Sequence, residues 1–302
     1  MTMRNRSLAI VVPVSLIFSQ PVAAHVALEP DTLGIANLLG LVLMLVAASA
    51  YGSGLIRMWR RAGVGRGIRQ WQGGCFYLGI TALVAALFWP LEALSRSNLW
   101  LHMVQHMVLI AVAAPLLALG RPWIPVLLSF PQPSQARILR WWRSLDLPRW
   151  LVLPGPLAAT AIHGVVIWFW HAPGPFNLAL ANEAIHIIEH VTLFGTALLF
   201  WWALLKAGSQ ADGFGSGAMA ALATLMHMGV LGALLTFAPT PLYERFASFS
   251  LSTLSPLEDQ QLAGLIMWIP TSAVYLAAGL ALIARGLENA RRQASSIHSS
   301  AI

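Results

Sequence analysis

From residue 33 onward the chain is a succession of long apolar runs separated by short polar segments. A helix needs about 20 mostly apolar residues to cross the hydrocarbon core of a bilayer. Seven runs meet that length, roughly Leu33–Ile56, Gly73–Leu91, Leu99–Leu119, Leu151–Trp170, Ala184–Leu205, Gly217–Ala238 and Leu262–Ala284. No repeat or compositional break divides them, so the pattern predicts an all-α, polytopic membrane helical bundle forming one domain over residues 25–302. Ahead of it, Arg4 and Arg6 precede the apolar run Leu8–Phe18 and the small-residue end Val22-Ala23-Ala24. That order reads as a cleavable signal peptide over residues 1–24. Cleavage after Ala24 would expose His25, whose α-amine and imidazole together can chelate divalent copper. Between the third and fourth runs, Ser134–Trp150 mixes Ile138, Leu139, Trp141, Trp142 and Leu145 with arginines, the pattern of an anchoring helix lying in the membrane interface.

Composition agrees with a lipid-embedded chain. Of 302 residues 58% are apolar and 10% charged, against about 45–50% and 25% in soluble domains. A soluble enzyme of this length is thereby excluded. The lone Cys75 excludes an intramolecular disulfide and any CxxC metal motif. Basic residues exceed acidic ones, 18 to 11, but their placement explains the excess without nucleic acid. Arg57, Arg60, Arg61, Arg66 and Arg69 follow the first run, Arg121 to Arg149 separate the third and fourth, Lys206 follows the fifth, and Arg285, Arg291 and Arg292 follow the seventh. These alternate segments hold 14 of the 18 basic residues. Positive charge collects on the cytoplasmic side, which puts the mature N-terminus outside and the C-terminus inside.

The histidines are as one-sided as the arginines. His102 and His106 stand in the first turns of the third run, His186 and His190 in the first turns of the fifth, and His171 at the outer end of the fourth, where Pro173 and Pro175 must stop a helix. His163 and His227 lie nearer the midplane. Both i, i+4 pairs put two imidazoles on one helix face, and two such pairs on two helices can converge on one metal. Imidazole suits copper, zinc, iron and nickel, while the neighbouring Met103, Met107, Met226 and Met228 tilt the choice towards copper. Methionine is also an ordinary core filler, and histidines within a bundle also hydrogen-bond between helices. Glu189, an acid inside an apolar run, calls for a partner and is placed to orient an imidazole. His163 and His171 are eight residues apart in sequence, about 12 Å along a helix. An unbroken helix therefore puts them at two different metal positions.

These residues carry a resemblance. Leu101-His102-Met103-Val104-Gln105-His106-Met107, Trp168-Phe169-Trp170-His171-Ala172-Pro173, His186 with Glu189-His190, Trp201-Trp202, Pro239 to Tyr243 and Asp259 to Trp268 together resemble the polytopic CtaG family of cytochrome c oxidase assembly factors. The resemblance covers roughly Leu91 to Pro270. It implies a non-enzymatic bacterial inner-membrane protein that helps supply copper to the catalytic subunit of a haem-copper oxidase, with a periplasmic copper donor as a further partner. By the same resemblance His102, His106, His171, His186 and His190 are metal-related, whereas Gln105, Asp259 and Gln260 match without an obvious ligand role.

Other functions compete with copper delivery. A membrane copper importer would use histidines running from rim to midplane, but no ligand ladder continues below His163 and His227. A b-type cytochrome would use single facing histidines and show a Soret band. A di-metal hydroxylase would need more carboxylates than Glu189 alone.

Overall fold

The computed structural model describes residues 35–88, 90–145, 154–210, 213–243 and 254–300. Among these residues every regular element is helical, and one compact unit spans Leu41–Ile302. The expected signal peptide and His25 lie outside the described residues.

The elements follow the apolar pattern closely. They are α1 (Ile35–Ala62), α2 (Gln70–Leu87), the short α3 (Leu91–Ser95), α4 (Leu99–Met107), a π-helical segment (Val108–Ala113), α5 (Ala114–Leu119), α6 (Trp123–Ser129), α7 (Gln132–Ser144), α8 (Pro156–His171), α9 (Pro173–Ala181), α10 (Glu183–Ala207), α11 (Phe214–Thr236) and α12 (Pro256–Ser300). Five helical stretches are long and apolar enough to cross a membrane: α1 from Asn37, the continuous Leu99–Leu119, α10, α11, and α12 as far as Ser295. Two of the seven expected runs fall short. α2 opens on Gln70 and Gln72, which dilute its apolar content, and α8 has only 16 residues between Pro156 and the Pro173 that starts α9. A proline at the start of a helix presets φ and lacks an N–H that would be unpaired anyway, so Pro156 opens α8 and Pro173 opens α9 just after α8 ends at His171.

Apolar residues face outwards to an extent no water-soluble fold tolerates. Val165 is 70% exposed, Val191 63% and Ile269 62%. The fully buried set includes His102, Gln105, His163, Glu189, Asp259 and Thr271. Lipid is as apolar as leucine, so burying hydrophobic surface does not hold such helices together; close packing and interhelical hydrogen bonds do. Gly232 of α11 and Gly264 of α12 meet at a close crossing, where a Cβ on Gly232 would come within 2.8 Å of Trp268 Cβ and one on Gly264 within 2.7 Å of Gly232 O. A helix is present within the range expected for the interfacial element, α7, which starts two residues earlier than expected and has no buried residue, with Trp141 and Trp142 exposed; residues 146–150 of that range lie outside the described residues.

The third span is not a uniform α-helix. In its π segment the Ala114 N–H donates to Leu109 O, five residues back. The next donor in that register, for Ile110 O, would be residue 115, which is proline and has no N–H. The Trp201 indole of α10 supplies the missing bond, Nε1 to Ile110 O at 2.9 Å. This exchange ties the span that carries His102 and His106 to the one that carries His186 and His190.

Replacing Gly264 with valine should lower stability by about 1–3 kcal/mol through overpacking against backbone. Thermal unfolding in detergent should show it as a fall in midpoint, while a valine at Gly74, whose Cβ would meet nothing within 4 Å, should have little effect.

Candidate metal centre

Three helix ends meet at the site. The N-terminal turns of α4 bring His102 and His106, those of α10 bring His186, Glu189 and His190, and the C-terminal residue of α8 is His171. Each end is held from elsewhere in the chain. Asp259 of α12, itself fully buried, accepts hydrogen bonds from Leu99 N at 3.0 Å and Trp100 N at 2.9 Å, capping α4 across about 160 residues of sequence. Asn182 caps α10 by accepting from Ile185 N at 3.2 Å. The Tyr243 hydroxyl donates to His171 O at 3.0 Å, and burial raises that phenol above its ordinary range, so it stays a donor. Gln260 secures the segment bearing Tyr243 by accepting from Leu242 N at 2.6 Å.

The rings gather tightly as a result. Ring centroids lie 4.4 Å apart for His102 and His106, 4.2 Å for His186 and His190, 5.2 Å for His106 and His190, and 5.4 Å for His102 and His186. His171 stands 6.0 Å from His106. One donor atom each from His102, His186, Glu189 and His190 all lie within 4.8 Å of one another. Donors bound tetrahedrally at about 2.0–2.1 Å sit roughly 3.3 Å apart, so a small contraction of these side chains encloses an ion.

Unsatisfied donors and acceptors give the site its chemical character. Both nitrogens of His106, Nε2 of His171, Nε2 of His190 and both oxygens of Glu189 are buried without a hydrogen-bond partner among the described residues. His106 Nε2 and Glu189 Oε1 are 3.8 Å apart, too far for a hydrogen bond. Each such buried group costs about 1–3 kcal/mol if left bare. A cation bonded to the imidazoles and balanced by the carboxylate removes that cost. His171 is already set for ligation, because its Nδ1 donates to Ile167 O at 2.7 Å and so leaves the lone pair on Nε2.

A cavity of about 230 Å³ reaches the cluster, lined by Arg96 and Glu183 and by His102 and His186. It gives a small hydrated ion a polar approach between α4 and α10.

Five of the seven histidines expected as ligands are therefore brought together, and Glu189 joins them within ligating range rather than standing behind them. His163 and His227 lie apart from this group, since α8 runs unbroken from His163 to His171. The methionines contribute less than their spacing suggested. The Met107 sulfur accepts from the Thr271 hydroxyl at 2.7 Å, and Met226 is 57% exposed. Sequence reading did not anticipate Phe176, which packs 5.3 Å from the His102 ring and 4.1 Å from Tyr243. It left the roles of Asp259 and Gln260 open, and both turn out to be struts.

The family model of the cytochrome c oxidase caa3 assembly factor (Caa3_CtaG) matches residues 49–289. The chain belongs to this family. No curated protein and no solved structure gives a significant match. Membership implies an association with cytochrome c oxidase and a non-catalytic role, and the matched segment contains every residue of the histidine and glutamate cluster.

Asp259 offers a test of how the fold serves this centre. Asp259→Ala removes no ligand, yet it should destabilise the assembly factor by about 1–2 kcal/mol through loss of the α4 cap. It should also reduce the rise in unfolding midpoint on metal loading, measured with and without metal in detergent.

Proposed function

We propose that the protein is a copper-binding assembly factor that takes up copper from the outer side of the bacterial inner membrane and helps deliver it to a haem-copper oxidase subunit. The observation that carries the reading is the cluster itself: converging imidazoles and one carboxylate, in which both His106 nitrogens, Nε2 of His171 and of His190 and both Glu189 oxygens have no hydrogen-bond partner among the described residues, in a chain of an oxidase assembly family. Copper is the cargo, and the work is ligand exchange without covalent catalysis. A periplasmic donor releases the ion at the polar cavity, where His102 and His186 meet it first. His106, His190 and His171 complete its imidazole shell, and Glu189 balances its charge. Several imidazoles converging on one point suit an ion better than the opposed single pair that a haem takes.

Orientation follows from charge. α10 carries His186 and His190 near its N-terminus and Lys206 in its last turn, so the site and the basic ends lie at opposite ends of that helix. α1 ends in Arg60 and Arg61, and α7 carries Arg137, Arg140 and Arg143. Under the positive-inside rule these face the cytoplasm and the centre faces outwards. In this arrangement α2 and α8 cross as well, completing seven spans, behind a signal peptide.

Copper content and an optical spectrum of the detergent-purified protein test the proposal. Wild type should retain copper after loading and show no Soret band, and His106→Ala/His190→Ala should lose most of it. Glu189→Gln should weaken binding about 10- to 100-fold, as loss of a supporting or charge-balancing carboxylate does. Membranes from cells carrying either variant should show reduced oxidase activity with normal haem content. Wild-type protein that holds no copper above background, or that carries haem, overturns the reading.

A further inference from the structure

His163 of α8 and His227 of α11 are absent from the outer cluster, yet they share its signature. His163 is fully buried, and its Nδ1 lies 2.9 Å from Thr196 Oγ1. The Thr196 hydroxyl proton is committed to main-chain carbonyls, Thr192 O at 2.8 Å and Leu193 O at 3.2 Å. Thr196 therefore accepts from His163, whose proton sits on Nδ1 and whose lone pair is on Nε2. That Nε2 is buried with no partner among the described residues, and so are both ring nitrogens of His227.

The two residues stand at one helix crossing, one turn along from the contact of Thr224 Oγ1 with Thr160 Oγ1 at 3.4 Å. His227 lies against the residue next to His163: a Cβ on Gly164 would come within 3.4 Å of His227 Nε2 and 3.6 Å of its Cε1. Glycine at 164 leaves the space into which the His227 ring fits. Nothing in packing alone asks for two unpartnered imidazoles there; apolar side chains would fill the volume without the cost of bare ring nitrogens.

We infer that His163 and His227 form a second metal site, deeper than the outer cluster, holding a single cation between two imidazoles with Thr196 orienting the first. It lies eight residues inward from His171 along α8, about 12 Å at the helical rise. A site of two neutral nitrogens with no carboxylate suits a soft monovalent ion that accepts two ligands, and disfavours divalent ions that demand four or more. Its ion is accordingly Cu(I), an assignment that rests on copper being the cargo of the outer centre. The outer centre then serves as the point of uptake, and the inner pair as the holding site from which the ion leaves the bundle.

Anaerobic titration of the full-length protein in detergent with Cu(I), against a competing colorimetric Cu(I) chelator, tests this. Wild type should bind two equivalents. His227→Ala should bind one, and the outer variant His106→Ala/His190→Ala should keep one whose X-ray absorption spectrum shows two nitrogen neighbours. Gly164→Ala, which favours the helix while crowding the His227 ring, should weaken one equivalent at least tenfold and guards against a variant that fails to fold. A single wild-type equivalent that survives both His227→Ala and Gly164→Ala but disappears in the outer variant overturns the inner site and leaves the outer centre standing. Absence of Cu(I) binding in wild type overturns both.

Discussion

Two hydrogen bonds, from Leu99 N and Trp100 N to the Asp259 carboxylate, hold the structure's chemistry in place. A buried carboxylate is expensive, and four N–H groups at the start of a buried helix would be expensive too. Joining the two reduces both costs and sets the position of α4 against α12. His102 and His106 follow within two turns, so a carboxylate about 160 residues away determines where their rings stand. The same logic recurs at α8, whose last carbonyl is taken by Tyr243 and whose last side chain is His171.

Around these fixed ends the bundle inverts the usual distribution of polarity. Large apolar side chains cover the outside, and the interior holds histidine, glutamine, threonine, aspartate and glutamate. Most of these interior groups are satisfied within the protein: Gln105 Nε2 by Ala86 O, Trp170 by Thr192, Trp201 by Ile110 O. Where pairing stops among the described residues, it stops mostly at histidines and Glu189, with Gln105 Oε1, Asn177 Oδ1, Ser272 Oγ and the Tyr275 hydroxyl as single cases. The bare atoms of His106, His171, Glu189 and His190 belong to one cluster, and further bare ring nitrogens lie on His163 and His227. A protein in lipid cannot leave such groups to water, and the gathered imidazoles and Glu189 make a cluster able to hold a metal ion.

The proline at residue 115 illustrates how a local defect is put to use. It denies Ile110 O a partner in the π register, and the Trp201 indole from α10 takes its place. The bond links the two histidine-bearing spans, from the last third of α10 to the middle of Leu99–Leu119. Their histidine-bearing ends can then approach closely enough to put the His102 and His190 rings each 4.2 to 6.1 Å from the other three of the set His102, His106, His186 and His190.

Hydrophobic runs and prolines were enough to place the helices, because run length and the missing proline N–H act locally. α4, α10, α11 and the end of α8 fall within a few residues of where the pattern puts them. The i, i+4 histidine pairs were legible for the same reason: a helix converts spacing into a shared face. The family was legible in the motifs that line this face. Five of the seven runs stand as candidate spans among the described residues; the glutamines opening α2 lower its apolar content, and α8 has 16 residues before Pro173 starts the next helix. Which histidines meet, and which are separated by an unbroken helix, depended on how helices cross, and crossing is set by glycines and long-range hydrogen bonds that pair residues far apart in sequence. Only the tertiary structure could place Glu189 among the ligands, turn Asp259 and Gln260 into supports, direct Met226 outwards, and seat His227 over Gly164.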